Sequence, residues 1–194
     1  MHRSVRVAVS VRSAALAVML PYAHAGAQQP AVGCGMPGMH AWQSTRPSPL
    51  DSATLTIGNR TAVFCYSRPN ARGRSVDSLL PLGRAWRTGA NEPTTLTISD
   101  RLSVGGAELS PGRYVILTVP QTTEWRVVFS TTAETEPAKM FATLHQVTIG
   151  AARVERTAVP VEQFTIRALT DSLDPAFTLE WGTRRVRLPV RAIP

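Results

Sequence analysis

Lysine is nearly absent: of the 21 basic residues only Lys139 is not an arginine, set against 13 acids for a net charge of +8. The positive charge is therefore carried by guanidinium groups, and these are scattered apart from one short cluster. A nucleic-acid binder usually shows a basic stripe with interleaved aromatics. With aromatics at 6% and no such stripe, nucleic acid is not an expected partner. Histidine is scarce too. Only His40 and His145 follow the first 25 residues, so neither a histidine metal cage nor a Ser-His-Asp triad is easily assembled. Patterns of the G-x-S-x-G, H-E-x-x-H or phosphate-loop type are missing, and no cofactor is implied. No run approaches the roughly 20 apolar residues that a membrane-spanning helix needs.

The longest apolar run is short and lies near the start. Arg3, Arg6 and Arg12 precede "SAALAVML" (Ser13 to Leu20), and "AHA" or "AGA" then supplies a small-x-small cleavage pattern. This order predicts an export signal over residues 1–25, cleaved after Ala25 or Ala27, and a secreted or periplasmic protein. Its removal leaves 169 of the 194 residues, enough for one domain with a real core. Three arginines and no acid leave with it, which moves the net charge from +8 to +5.

Residues 26–47 are rich in Gly, Pro, Gln and Ala without periodicity, and they read as a flexible linker. Within them "CGMPGMH" brings together Cys34, Met36, Met39 and His40, a soft donor set of the kind that selects copper(I). Four ligands in a flexible tail lack the surrounding groups that orient real sites, so this is a weak metal candidate. Two cysteines in an exported chain also invite a Cys34–Cys65 disulfide. The flexible setting of Cys34 argues against it. "TAVFCYS" is apolar on both alternating faces, and Cys65 is expected to be an inert buried thiol.

After Pro49 the pattern is strand after strand, within one domain over residues 48–194. "ATLTI" and "RTAVFCYS" flank Gly58-Asn59; "TTLTI" and "RLSV" flank Ser99-Asp100; Gly105-Gly106 leads into "AEL"; and "FTLEW" and "RRVRLPV" flank Gly182-Thr183. Two-residue linkers of this composition between β-rich runs are hairpin signals and predict antiparallel pairing. "GRYVILTVP" and "EWRVVFS", joined by residues 121–123, predict another hairpin, and "VEQFTIRAL" a further strand. The last pair alternates, with Phe177, Leu179 and Trp181 and then Val186, Leu188 and Val190 on a core face and polar residues facing water. Only residues 136–146, "EPAKMFATLHQ", suggest a short helix. The expectation is an all-β fold, an antiparallel jelly-roll-like β-sandwich of about nine strands.

"SPLDSATLTIG", "YSRPNARGR", "LLPLGRAWRTGANEPTTLTIS", "LSPGRYVILTVP", "EWRVVFS" and "PVEQFTI" follow, in order and spacing, a known pattern. Across Ser48 to Val190 the chain resembles the exported bacterial family called domain of unknown function 2911. The resemblance implies an exported, mostly antiparallel β domain and brings no established activity. Matching motif positions are Tyr66, Arg68, Pro69, Gly73, Arg74, Trp86, Arg87, Thr88, Gly89, Asn91 and Glu92. Arg72 stands where the family usually has lysine, and residues 131–146 depart from the usual Trp-Gly and tyrosine segment.

The chemistry concentrates in two loops. Arg68, Arg72, Arg74, Arg84 and Arg87 lie within twenty residues, with only Asp77 to balance them. Guanidinium groups make paired, charge-assisted hydrogen bonds to carboxylate or phosphate, so converging arginines suit an anion. If the two loops meet, Arg68, Arg72, Arg74, Arg87, Asn91 and Glu92 would form a ligand site. Gly89 and Asn91 would then permit left-handed turns that point N–H groups inward. The structural alternative makes Trp86 a core plug and pairs Glu92 with Arg68, Arg74 or Arg87 to pin the loops together. The expected function is an exported binding or structural module for a small anionic or sugar-like ligand or an envelope protein. The alternative is a hydrolase acting on a carbohydrate or ester, with Glu92 as acid/base in an arginine-lined pocket.

Overall fold

Side-chain alternation and turn chemistry fix most of the strands. The computed structural model describes Cys34, residues 46–131, Lys139, and residues 147–170 and 173–194. Residues 1–25, and the helix expected over 136–146 apart from Lys139, lie outside the described residues. Among the described residues the chain is nearly all β. It forms β1 (Leu50–Ile57), β2 (Arg60–Ser67), β3 (Thr94–Ile98), β4 (Leu102–Val104), β5 (Ala107–Leu109), β6 (Gly112–Pro120), β7 (Glu124–Ser130), β8 (Val147–Leu169) and β9 (Ala176–Ala192). One four-residue helix, α1 (Val76–Leu79), has no counterpart in the sequence-based expectations. The sheet order is β1-β2-β3-β6-β7-β8-β9-β4-β5, every pair antiparallel. No described helix is long and apolar enough to cross a membrane.

Three expected hairpins form. β1 and β2 turn through Gly58 (φ 60°), β4 and β5 through Gly105 (φ 58°) and Gly106 (φ 82°), and β6 pairs with β7 beyond residues 121–123. The left-handed φ values are those that tight hairpin turns require, which is why glycine marks them in the sequence.

Two other links behave differently. Ser99-Asp100 joins two strands, but β3 pairs with β2 and β6, whereas β4 pairs with β5 and β9. It is a crossover, held because Thr61 N–H donates to Ser99 Oγ at 2.8 Å and Ser99 N–H to the Thr61 carbonyl at 2.9 Å. Gly182-Thr183 is no hairpin either. β9 runs unbroken for 17 residues, and its pairing with β8 shifts register between Arg156 and Val161 and again between Val161 and Thr165. Both faces are buried before this irregularity, and the side chains that join the apolar core change parity across it, from Phe177, Leu179 and Trp181 to Val186, Leu188 and Val190. The extra residues of both shifts lie on β8, and β9 accommodates the bulged partner through the left-handed Gly182 (φ 59°). β8 likewise begins well before the expected Val161 and spans 23 residues.

The polar face of the first half of β9 does not meet water as expected. Thr178 and Glu180 are buried, and Glu180 accepts from Thr178 Oγ1 (3.0 Å), Arg185 Nε (2.9 Å) and Arg167 Nε (3.3 Å). Strands distant in the sheet order face one another across the core. Phe64 on β2 meets Phe177 on β9 edge-on with ring centroids 4.7 Å apart, and Tyr66 on β2 meets Phe164 on β8 at 5.7 Å. Such edge-to-face aromatic pairs add about 1 kcal/mol each beyond their buried area.

Cys65 is not a free thiol. It is disulfide-bonded to Cys34 with a Cα–Cα separation of 5.3 Å, so the segment read as a linker is fastened to β2. The spacing is within the range an unforced bridge needs. An apolar strand environment at Cys65 does not distinguish a thiol from a half-cystine, since both bury well.

Candidate functional site

The stretch from Trp86 to Pro93 is anchored against the core by half-buried Trp86 and by buried Thr88 and Gly89, while Arg87 and Asn91 are exposed. The Trp86 backbone bridges Thr118 in both directions, at 2.7 and 2.9 Å. Its indole stacks on Trp181 (5.8 Å, 13° between planes) and meets Trp125 and Phe164 edge-on, and its Nε1 donates to the Gly89 carbonyl at 3.1 Å. Trp86 is half-buried and packs against the core, which is nearer to the plug of the structural alternative than to a ligand contact. The left-handed residues here are Thr88 and Asn91, both at φ 57°, and not Gly89. Gly89 is needed for proximity, because a Cβ there would lie 2.8 Å from the Ser67 carbonyl oxygen. Arg87 Nη1 donates to the Asn91 carbonyl at 2.6 Å, and Asn91 Nδ2 to the Ser48 carbonyl at 3.4 Å.

Glu92 pairs with none of the arginines expected to reach it. Its Oε2 accepts from Arg46 Nη2 at 2.5 Å and from Ser67 Oγ at 3.0 Å. The Arg46 side chain is 2% exposed and that of Glu92 19%. Burial pushes the Glu92 carboxyl upward, but the hydrogen bonds from Arg46, its own N–H and Ser67, with the Arg46 charge, hold it below its ordinary 4.5.

Arg68 is spent on the frame. Nη1 lies 3.2 Å from Asp51 Oδ2, Nε donates to the Phe164 carbonyl at 3.2 Å and Nη2 to Thr165 Oγ1 at 2.8 Å. Beside it the Tyr66 hydroxyl accepts from Ile166 N–H at 2.9 Å. Burial first, with the Asp51 charge, drives the Tyr66 hydroxyl up to about 12 against the lowering effects of the Ile166 hydrogen bond and Arg68.

The next residues turn back under β8. Arg72 (φ 54°) and Gly73 (φ 71°) are consecutive left-handed residues, and their N–H groups both point at Glu162 Oε1, at 2.5 and 3.4 Å. Successive N–H groups converging in this way form an anion-binding nest. The inward N–H groups that the sequence suggested for Gly89 and Asn91 are thus found at Arg72 and Gly73. The anion they hold is the protein's own. Asn70 bridges Gln163, and Ala71 N–H donates to the Glu162 carbonyl at 3.1 Å.

Between this loop and the irregular part of β8–β9 lies a groove of about 480 Å³, lined by Arg74, Ser75, Asp77, Glu162 and Thr183 over a floor that includes Val76. Arg74 Nε donates to the Ala71 carbonyl at 3.0 Å, and its two Nη atoms have no partner among the described residues. Asp77 is held from behind by Arg184 Nε at 2.6 Å, the side chains being 54% and 5% exposed. That hydrogen bond, ahead of the Arg184 and Arg156 charges, keeps the Asp77 carboxyl below its ordinary 3.8 in spite of a desolvation cost. A second cavity, about 310 Å³, lies beside Ser103, Gly105 and Arg191. Glu92 lines neither.

Of the six ligand-site candidates, only Arg74 lines the larger groove, with Arg72 adjoining it through its backbone N–H. Arg68, Arg87, Asn91 and Glu92 are engaged in holding loops together. Arg46, Asp77 and Arg184 were not singled out as site residues, and Glu162 only as one of four carboxylates, with Glu92, Glu124 and Glu180, that could supply a catalytic pair, since each partnership spans 46 or more residues and carries no local mark. The soft-donor set fares no better as a metal site. Cys34 is half of a disulfide, while Met36, Met39 and His40 lie outside the described residues. Among the described residues no group of three or more His, Cys, Asp or Glu is placed to hold a metal.

Fold and loops together define a nearly all-β, antiparallel domain with a Trp-Arg-Thr-Gly-Ala-Asn-Glu loop packed against its core. Residues 48–190 match the family described as Protein of unknown function (DUF2911), and the chain belongs to that family. No curated protein and no solved structure matches it.

Proposed function

We propose that this chain is an exported, non-catalytic binding module that holds a small anionic ligand in the groove beside Arg74. The observation that carries this reading is the charge balance of the lining. Asp77 is compensated by Arg184 and Glu162 by the Arg72 and Gly73 N–H groups, while the Nη atoms of Arg74 are left without a partner among the described residues. A guanidinium in that state favours a carboxylate or phosphate. The volume falls in the usual range for small-molecule sites, roughly 300–1,000 Å³. A sugar-like ligand is less well served, because no aromatic ring is among the lining residues. An envelope-protein partner would present its acidic side chain to the same arginine.

Export draws its support from the order of charge, apolar core and small residues in the first 27 positions. The Cys34–Cys65 disulfide supports it too, since such bridges persist in oxidising compartments. Crystals soaked with a panel of anions and sugars test the ligand class. Density for an oxyanion on Arg74 is the expected result, and a sugar or nothing in the groove contradicts it. Intact-mass measurement on material from a native-like host should give a chain starting at Gly26 or Gln28, and retention of Met1 would refute export.

A further inference from the structure

Glu162 is fastened in this fold twice over. Its backbone carbonyl accepts from Ala71 N–H and from Trp181 Nε1, both at 3.1 Å. On either side of this contact Asn70 bridges Gln163, and Phe164 N–H donates to the Pro69 carbonyl at 2.9 Å. These bonds align the loop with β8 without the Glu162 side chain. The carboxylate nevertheless reaches the N–H groups of Arg72 and Gly73, and Arg72 adopts the left-handed conformation that non-glycine residues rarely take. A preorganised nest at the rim of a groove, filled by an exposed side chain that the loop does not need for alignment, has the features of a receptor holding a stand-in.

We propose that the Arg72–Gly73 nest is the oxyanion subsite of the groove, and that the Glu162 carboxylate occupies it until the carboxylate or phosphate of a ligand takes its place. This inference rests on the anion-binding reading of the groove. The incoming oxyanion exchanges one carboxylate for another at the same two N–H groups and gains Arg74 and the Ser75 hydroxyl as neighbours. Displaced Glu162 stays at the exposed rim. If the stand-in occupies the nest about nine-tenths of the time, its removal strengthens binding about tenfold.

The test titrates inorganic phosphate, and separately acetate, into the wild type, Glu162→Ala, Arg74→Gln and the double variant. Calorimetry gives the affinity, and the amide signals of Arg72 and Gly73 report on the nest. Thermal melts accompany each variant to establish that it is folded. About tenfold tighter binding to Glu162→Ala, with the two amide signals shifting on titration, is the expected result. Phosphate alone gaining affinity assigns the subsite to phosphate esters, and acetate gaining as well assigns it to carboxylates. Binding that is lost with Arg74→Gln but unchanged or weakened in Glu162→Ala overturns the stand-in and leaves the groove reading intact. Binding to Glu162→Ala that is indifferent to Arg74 overturns the groove reading and keeps the nest. Neither anion binding to any of the four proteins overturns both.

Discussion

Arg46 and Glu92 meet across 46 residues of chain, their contact buried on the arginine side and closed by the hydroxyl of Ser67. The pair ties the segment before β1 to the loop that carries Trp86. Removing one member of a buried pair typically costs about 3–5 kcal/mol. The Glu92→Gln change keeps one acceptor, and the Glu92 side chain is 19% exposed, so the expected loss is nearer the low end, about 2–3 kcal/mol. Chemical denaturation measures it. Changing both residues to methionine should recover most of the loss. Unchanged stability with abolished anion binding would instead make Glu92 a ligand-site residue.

The same pair sets an acid limit. A carboxyl whose folded-state value is depressed contributes stability that is fully present above its unfolded value and is lost as pH falls through the folded one. For Glu92 the unfolded value is 4.5 and the folded one lies lower, with Asp77 depressed in the same sense from 3.8. The melting temperature should hold from neutral pH down to about pH 5 and drop below pH 4.5, and Glu92→Gln should flatten that drop. A melting temperature that declines already between pH 7 and 5 would assign the effect to other groups.

Reduction of the Cys34–Cys65 disulfide opens a loop with a sequence separation of 31. Chain-entropy reasoning puts the stabilisation at about 3–4 kcal/mol for a loop of that length. Cys34→Ser, or reductant added to the wild type, should lower stability by about that amount in urea unfolding, with the two treatments agreeing. Loss of the β spectrum altogether on reduction would mean that the bridge is required for folding.

Gly182 combines φ 59° with close packing, since a Cβ at this position would lie 2.9 Å from the Val76 Cβ. Gly182→Ala should therefore strain the backbone and push α1 off β9, at a cost of about 1–3 kcal/mol. Because Val76, Asp77 and Gly182 all border the groove, the amide signals of residues 75–77 should move more than those of distant strands. A neutral substitution would show that α1 is free to shift.

The parts of the fold legible in the sequence are those with a local cause. Gly58 and the Gly105-Gly106 pair mark real turns because a left-handed φ leaves a compositional trace. Gly182 leaves the same trace for a strand irregularity, and only the switch of the apolar core positions from odd to even, Trp181 to Val186, separates the two cases. Ser99-Asp100 reads as a hairpin because residue type reports the end of a strand but not which strand comes next. The site was less legible. The arginine cluster pointed at the 68–77 loop, which borders the groove, yet which of its groups are engaged depends on Asp51, Glu162 and Asp77, whose partners lie 17, 90 and 107 residues away.

β9 lies between β8 and β4 in the sheet order, and among the described residues β9 is the strand whose ladder the β4–β5 hairpin, made some seventy residues earlier, joins. That native pairing cannot form during synthesis until residues 176–192 have been made. Native pairing is thereby postponed until almost all of the described chain exists, as expected where non-local strand contacts dominate.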